Sequence, residues 1–134
     1  MSSALTVCTV VNKKRPVNLD IGTIDLPLPA LASFLHRVSG VFLLAGVAVL
    51  LWLLDASLAS EESFAAVKAI SHSFFCKLIV WAVAAGLIYH TVAGVKHLIM
   101  DLGYGESLEG GVKGAKGDFV VSIVLIVLVG EWIW

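Results

Sequence analysis

The chain alternates between long apolar stretches and short polar ones. The first apolar stretch covers about residues 29–54, with no charge between Arg37 and Asp55. The second covers about 74–100, with no charge between Lys77 and Lys96. The third, about 118–134, follows Asp118 and is broken only by Glu131. A membrane-crossing helix needs about 20 mostly apolar residues, within a range of roughly 17–25. The pattern therefore predicts an all-α membrane protein with three transmembrane helices, running up-down-up, and places Glu131 at an interface. Leu26 and Leu28 each precede a proline and favour extended backbone. Pro29 suits a first helical turn, so the first helix is expected to begin there. This divides the chain into an N-terminal arm, 1–28, and a three-helix domain, 29–134.

The segment 103–117 carries six glycines, Gly103, Gly105, Gly110, Gly111, Gly114 and Gly117. It lacks the Gly-Lys-Ser/Thr ending of a phosphate-binding loop, and no strand precedes it. It is expected to be a flexible connector. There is no internal repeat.

Composition agrees with the pattern. Of the 134 residues, 59% are hydrophobic and 14% charged, against about 25% charged in soluble domains. Cys8 and Cys76 stand far apart without a CxxC, which argues against a disulfide framework or a structural zinc site. Lys13, Lys14 and Arg15 follow rather than precede the apolar residues of the N-terminus, so a cleaved signal is not expected.

Positive charge orients membrane helices, favouring the cytoplasmic side. Lys13, Lys14, Arg15, Arg37, Lys96, Lys113 and Lys116 fall on one side of the predicted layout, and only Lys68 and Lys77 on the other. The N-terminus is expected in the cytoplasm and the C-terminus in the periplasm of a bacterial inner membrane. Trp52, Trp81, Trp132 and Trp134 fall at the predicted outer ends, where tryptophan favours the interface.

His90 lies inside the second apolar stretch, six residues before Lys96, or about 9 Å along a helix. Ala82, Gly86 and Gly94 share its face at steps of four. Small residues at this spacing admit another helix or a flat ligand. A macrocycle with an axial imidazole fits such a groove, since neutral imidazole is a common haem ligand. A packing histidine bonded to a neighbouring helix fits it equally well. His97 is about 10.5 Å further along the axis, too far to share one iron with His90. It is expected to meet a haem propionate or water, and His72 to be exposed.

Ser33, His36 and Arg37 stand at positions i, i+3 and i+4 at the mouth of the first stretch, where side chains are neighbours. Ionisable groups so close to hydrocarbon are functional candidates. A quinone head group needs donors at its carbonyl oxygens and stabilisation of the charge that develops on reduction. Ser33 can donate, Arg37 can stabilise that charge, and His36 can carry protons or bind a propionate. Alternatively, Arg37 anchors the helix to lipid head groups.

Two longer motifs run through these residues. Arg15-Pro16-Val17-Asn18-Leu19-Asp20, followed by Ser33-x-x-His36-Arg37-x-Ser39-Gly40, resembles the first signature of the cytochrome b556 subunit family of succinate dehydrogenase. His90-x-x-x-Gly94-Val95-Lys96-His97-x-x-x-Asp101-x-Gly103 resembles the second. The resemblance spans about residues 13–134. One departure is Lys96, where the family usually has arginine. A lysine cannot supply the bidentate guanidinium fork.

The resemblance implies one of two small membrane anchors of succinate:quinone oxidoreductase, an electron-transport complex of the tricarboxylic acid cycle. The chain would form half of a heterodimeric haem-binding helix bundle. Haem b would sit between the two anchors, with His90 as one axial ligand and the partner anchor supplying the other. Ubiquinone would bind near Ser33 and Arg37, with proton delivery or propionate contacts from His36 and His97. A flavoprotein subunit would oxidise succinate, and an iron–sulfur subunit, lying against the 15–20 arm, would relay the electrons. The chain would not itself act on succinate, and no nucleic-acid partner is expected. Two other readings are a fumarate reductase anchor and a haem-free scaffold or transporter subunit.

Overall fold

The computed structural model describes residues 21–134. The 15–20 motif and most of the N-terminal arm lie outside the described residues. After a short 3-10 turn at Ile21–Thr23 come four helices: α1 (Leu28–Ala59), α2 (Glu61–Ser71), α3 (Phe74–Asp101) and α4 (Leu108–Ile133). No strand occurs among the described residues. The all-α expectation holds.

Local chemistry explains where the helices begin. α1 starts beside Pro27, with Pro29 in its first turn, where a missing N–H costs nothing. The Ser60 side chain caps α2 by accepting from Ser63 N at 3.0 Å, and Ser63 Oγ returns the bond to Ser60 N at 2.9 Å. This reciprocal cap makes a helix of a segment expected only as a connection, and α1 itself continues past Asp55 to Ala59. Ser73 caps α3.

The glycine-rich segment departs from expectation. Only Leu102–Ser107 forms a connection, with Gly103 at φ +89° and Gly105 at φ +75°. From Leu108 onward the chain is helical. Ser107 accepts from Gly110 N at 3.1 Å, and Glu109 pairs with Lys113 one turn on. A Cβ at Gly110 would lie 2.7 Å from the Gly105 carbonyl oxygen, so glycine there lets the turn fold back on the helix start.

Each long helix presents a stripe of small or polar residues at three- and four-residue steps. On α1 it is Ala32, His36, Ser39/Gly40, Leu43 and Gly46. On α3 it is Val83, Gly86, His90, Ala93/Gly94 and His97. On α4 it is Gly111, Ala115, Asp118 and Ser122, all buried. These stripes meet where small residues let helix backbones approach. Val83 sits over Gly46 and Phe42 over Gly86, 2.8 Å and 2.9 Å from where a Cβ would stand. The groove read at Gly86 and Gly94 is thus an α1–α3 packing seam: Phe42 covers the first and His36 the second.

Among the described residues, two helices, α1 and α3, are long and apolar enough to cross a membrane. α4 does not meet that standard. It carries Lys113, Lys116, Asp118 and Glu131, which leaves only 119–130 uncharged. Those residues span roughly 18 Å, against a hydrocarbon core of about 30 Å. The third span expected at 118–134 is therefore not established by length and composition.

Outside the seams the apolar side chains point outward. Leu44 is 79% exposed and Trp132 86%. Apolar surface on this scale needs lipid or another chain to cover it.

Candidate functional site: a histidine cluster between two long helices

α1 and α3 bring His36, His90 and His97 together near one end of the bundle. The rings of His36 and His90 stack with centroids 4.2 Å apart and planes 18° from parallel. His97 tilts against His36, with centroids 5.2 Å apart. Gly40 and Gly94 make the room. A Cβ at Gly40 would stand 3.1 Å from His90 Cε1, and one at Gly94 3.3 Å from His36 Nε2.

The hydrogen bonds of His90 select its neutral tautomer. Its Nδ1 lies 3.0 Å from Ser39 Oγ and 3.1 Å from the His36 carbonyl oxygen. The Ser39 hydroxyl donates its own proton to that same carbonyl at 2.7 Å. Both neighbours of Nδ1 can then only accept, so in the neutral ring Nδ1 carries the proton and Nε2 the lone pair. Nε2 has no hydrogen-bond partner among the described residues. Unlike the Nε2 atoms of His36 and His97, it is not a sealed, unpartnered nitrogen. Metal-ligating histidines are held in this way, with one nitrogen donating to a fixed acceptor and the other free for the metal. The donor set fits a haem iron.

The Nε2 atoms of His36 and His97 are buried without hydrogen-bond partners. A buried polar atom left unpaired costs about 1–3 kcal/mol. Two such atoms lie together at this end of the seam.

The surroundings are polar and tied across three helices. Lys96 Nζ lies 2.7 Å from Asp118 Oδ2, linking α3 to α4, and Asp118 is only 5% exposed. Tyr89 donates to the Ala32 carbonyl at 2.9 Å and stacks on Phe119. At the opposite end, Lys77 Nζ donates to the Ile133 carbonyl at 2.9 Å and Trp81 Nε1 to that of Ile126 at 3.1 Å. The indoles of Trp81 and Trp134 meet there.

The Ser33–His36–Arg37 group does not close on itself. His36 turns into the α1–α3 seam. Ser33 is half-buried and Arg37 exposed, and neither has a hydrogen bond or ion pair among the described residues. Successive helical residues point about 100° apart, so His36 and Arg37 face different neighbours. His72 is exposed, as expected. Reading the sequence missed the roles of Ser39 and of the Lys96–Asp118 pair. The i, i+3 spacing of His36 and Ser39 was the available signal for the first. Nothing in the sequence pairs the second.

The fold and site are those of an all-helical protein with two antiparallel candidate membrane spans and histidines packed between them. The chain belongs to the succinate dehydrogenase/fumarate reductase transmembrane subunit family, whose model matches residues 11–129. It is 42% identical over 125 residues to the succinate dehydrogenase cytochrome b556 subunit of Coxiella burnetii, covering 92% of this chain and all of that one. The subunits of the same name from Paracoccus denitrificans and Rickettsia felis are 33% and 29% identical. They cover 85% and 74% of this chain, and 88% and 77% of their own lengths. The family resemblance read from the two motifs is borne out.

Proposed function

We propose that this chain is a membrane anchor of succinate dehydrogenase that holds haem b through His90 and helps bind ubiquinone near Ser33 and Arg37. The observation that carries this reading is the state of His90, whose Nδ1 is committed to two acceptors while Nε2 is free. Haem b, when bound, would supply a one-electron carrier. His90 contributes the neutral imidazole. A second anchor subunit would supply a further ligand, an iron–sulfur subunit would deliver electrons, and a flavoprotein subunit would oxidise succinate. The names of the relatives favour succinate oxidation over the fumarate reductase direction.

His36 and His97 form the polar rim of this pocket. Their unpartnered Nε2 atoms suit a haem propionate, or a proton passed towards quinone. Ser33 and Arg37, turned away from the seam, are free to meet a head group together with neighbouring subunits. The Ser33 hydroxyl donates to a carbonyl oxygen, and the Arg37 guanidinium offsets the charge that develops there.

α4 completes a three-span bundle in the inner membrane, with the N-terminus cytoplasmic and the C-terminus periplasmic. The Lys96–Asp118 pair supports this, because it neutralises the buried carboxylate that precedes the uncharged part of α4. Purification of the complex in mild detergent tests the whole reading. The expected result is four polypeptides with stoichiometric b-type haem and quinone reductase activity. A haem-free complex that reduces quinone normally would contradict it.

A further inference from the structure

We propose that Ser39 is a positioning residue for the haem ligand: its hydroxyl, acting with the His36 carbonyl, holds the tautomer and sets the ring orientation of His90, so that Nε2 is presented to iron. The inference rests on the reading of His90 as an axial ligand, but it makes a separate claim about a different residue.

The geometry is a closed triangle. Ser39 Oγ donates to the His36 carbonyl at 2.7 Å, and the Nδ1–H of His90 points between that hydroxyl and that carbonyl, at 3.0 Å and 3.1 Å. A serine whose proton were free could donate to Nδ1 and compete with the His36 carbonyl, since a hydroxyl both donates and accepts. Here the helix itself takes up the serine proton, because Oγ bonds the carbonyl three residues back. The hydroxyl is left as an acceptor only. Its donation to the carbonyl polarises it and strengthens what it accepts, as in other hydrogen-bond chains at low dielectric.

Two acceptors hold the ring more tightly than one. With the carbonyl alone, the imidazole can pivot about a single bond. The second contact sets the plane in which Nε2 leaves the helix. Gly40 permits this pose by keeping a Cβ from the ring edge at Cε1. An Nδ1–H that donates strongly also makes the imidazole a more electron-rich ligand, which favours ferric over ferrous iron.

The test uses the assembled complex and reads haem rather than turnover. In Ser39→Ala the midpoint potential of haem b should shift positive, because the ligand is less electron-rich. Haem affinity should fall about tenfold to a hundredfold, the usual cost of removing such a partner. The low-spin ferric resonance should broaden as the ring loses its fixed plane. Ser39→Thr keeps the hydroxyl and should restore all three properties. Ser39→Cys, with a weak acceptor of similar size, should resemble the alanine variant and serves if alanine prevents assembly.

His90→Ala in parallel separates the two claims. If it loses low-spin haem while Ser39→Ala and Ser39→Cys keep the wild-type potential and affinity, the role of Ser39 is overturned and the ligand stands. If His90→Ala retains low-spin haem, the ligand reading fails and the role of Ser39 fails with it.

Discussion

His90 and His36 lie face to face across the α1–α3 seam, with centroids 4.2 Å apart and planes 18° from parallel. The stack exists because a glycine faces each ring, Gly40 at His90 and Gly94 at His36. The two histidines therefore respond together to any change in helix spacing.

Gly40→Val tests that dependence. Its Cβ would already press on His90 Cε1 at 3.1 Å, and the branched methyls add to this. Overpacking of this kind costs about 1–3 kcal/mol. The complex should melt at a lower temperature in detergent and bind less haem, as measured by thermal unfolding and pyridine haemochrome content. Gly117→Ala, inside α4 where an added Cβ meets nothing within 4 Å, should lower neither the melting temperature nor the haem content, since alanine favours helix over glycine.

The Lys96–Asp118 pair predicts an asymmetry between single and double substitutions. Lys96→Met or Asp118→Leu alone strands a buried charge, at a cost of roughly 3–5 kcal/mol. The double variant removes both charges and should recover most of that loss. Thermal midpoints of the three variants decide it. Additive losses would show that the two residues do not act as a pair.

Quinone chemistry should separate from succinate oxidation. Ser33→Ala and Arg37→Ala should slow quinone reduction by up to ~10²–10³-fold, as loss of one preorganised donor does elsewhere. Succinate oxidation by a soluble dye acting upstream should persist. Arg37→Lys should recover part of the rate, because a point charge lacks the guanidinium fork. Normal quinone reduction and inhibitor binding in Arg37→Ala would return Arg37 to the role of a lipid anchor.

Orientation has its own check. A reporter active only outside the cytoplasm, fused after Trp134, should be active. The excess of lysine and arginine on the other side of the layout is the ground for this expectation. Activity of a cytoplasmic reporter at that position would reverse the topology or remove the third span.

α1 and α3 were legible in the sequence because nothing interrupts them: no charge lies between Arg37 and Asp55 or between Lys77 and Lys96. The start of α4 was not. Glycine disfavours helix by about 1 kcal/mol per residue, yet Gly111 packs against Pro29 and Gly114 against Lys96. Tertiary contact outweighs propensity there. Asp118 read as a boundary marker because its partner stands 22 positions away, beyond any local pattern. His90 was visible as an imidazole in an apolar run. Its hydrogen bonds to Ser39 and His36 were not, since they depend on which faces of α1 and α3 meet. The spacing of Ser33, His36 and Arg37 was legible too, but the neighbour each side chain faces was not, because adjacent residues that share a helix turn still point about 100° apart.

The haem ligand is the central claim, and the reduced-minus-oxidised spectrum of the purified complex carrying His90→Ala tests it most directly. The account predicts that the sharp b-type alpha band is lost or strongly weakened, while His97→Ala keeps it. An unchanged low-spin spectrum in assembled His90→Ala would contradict the account.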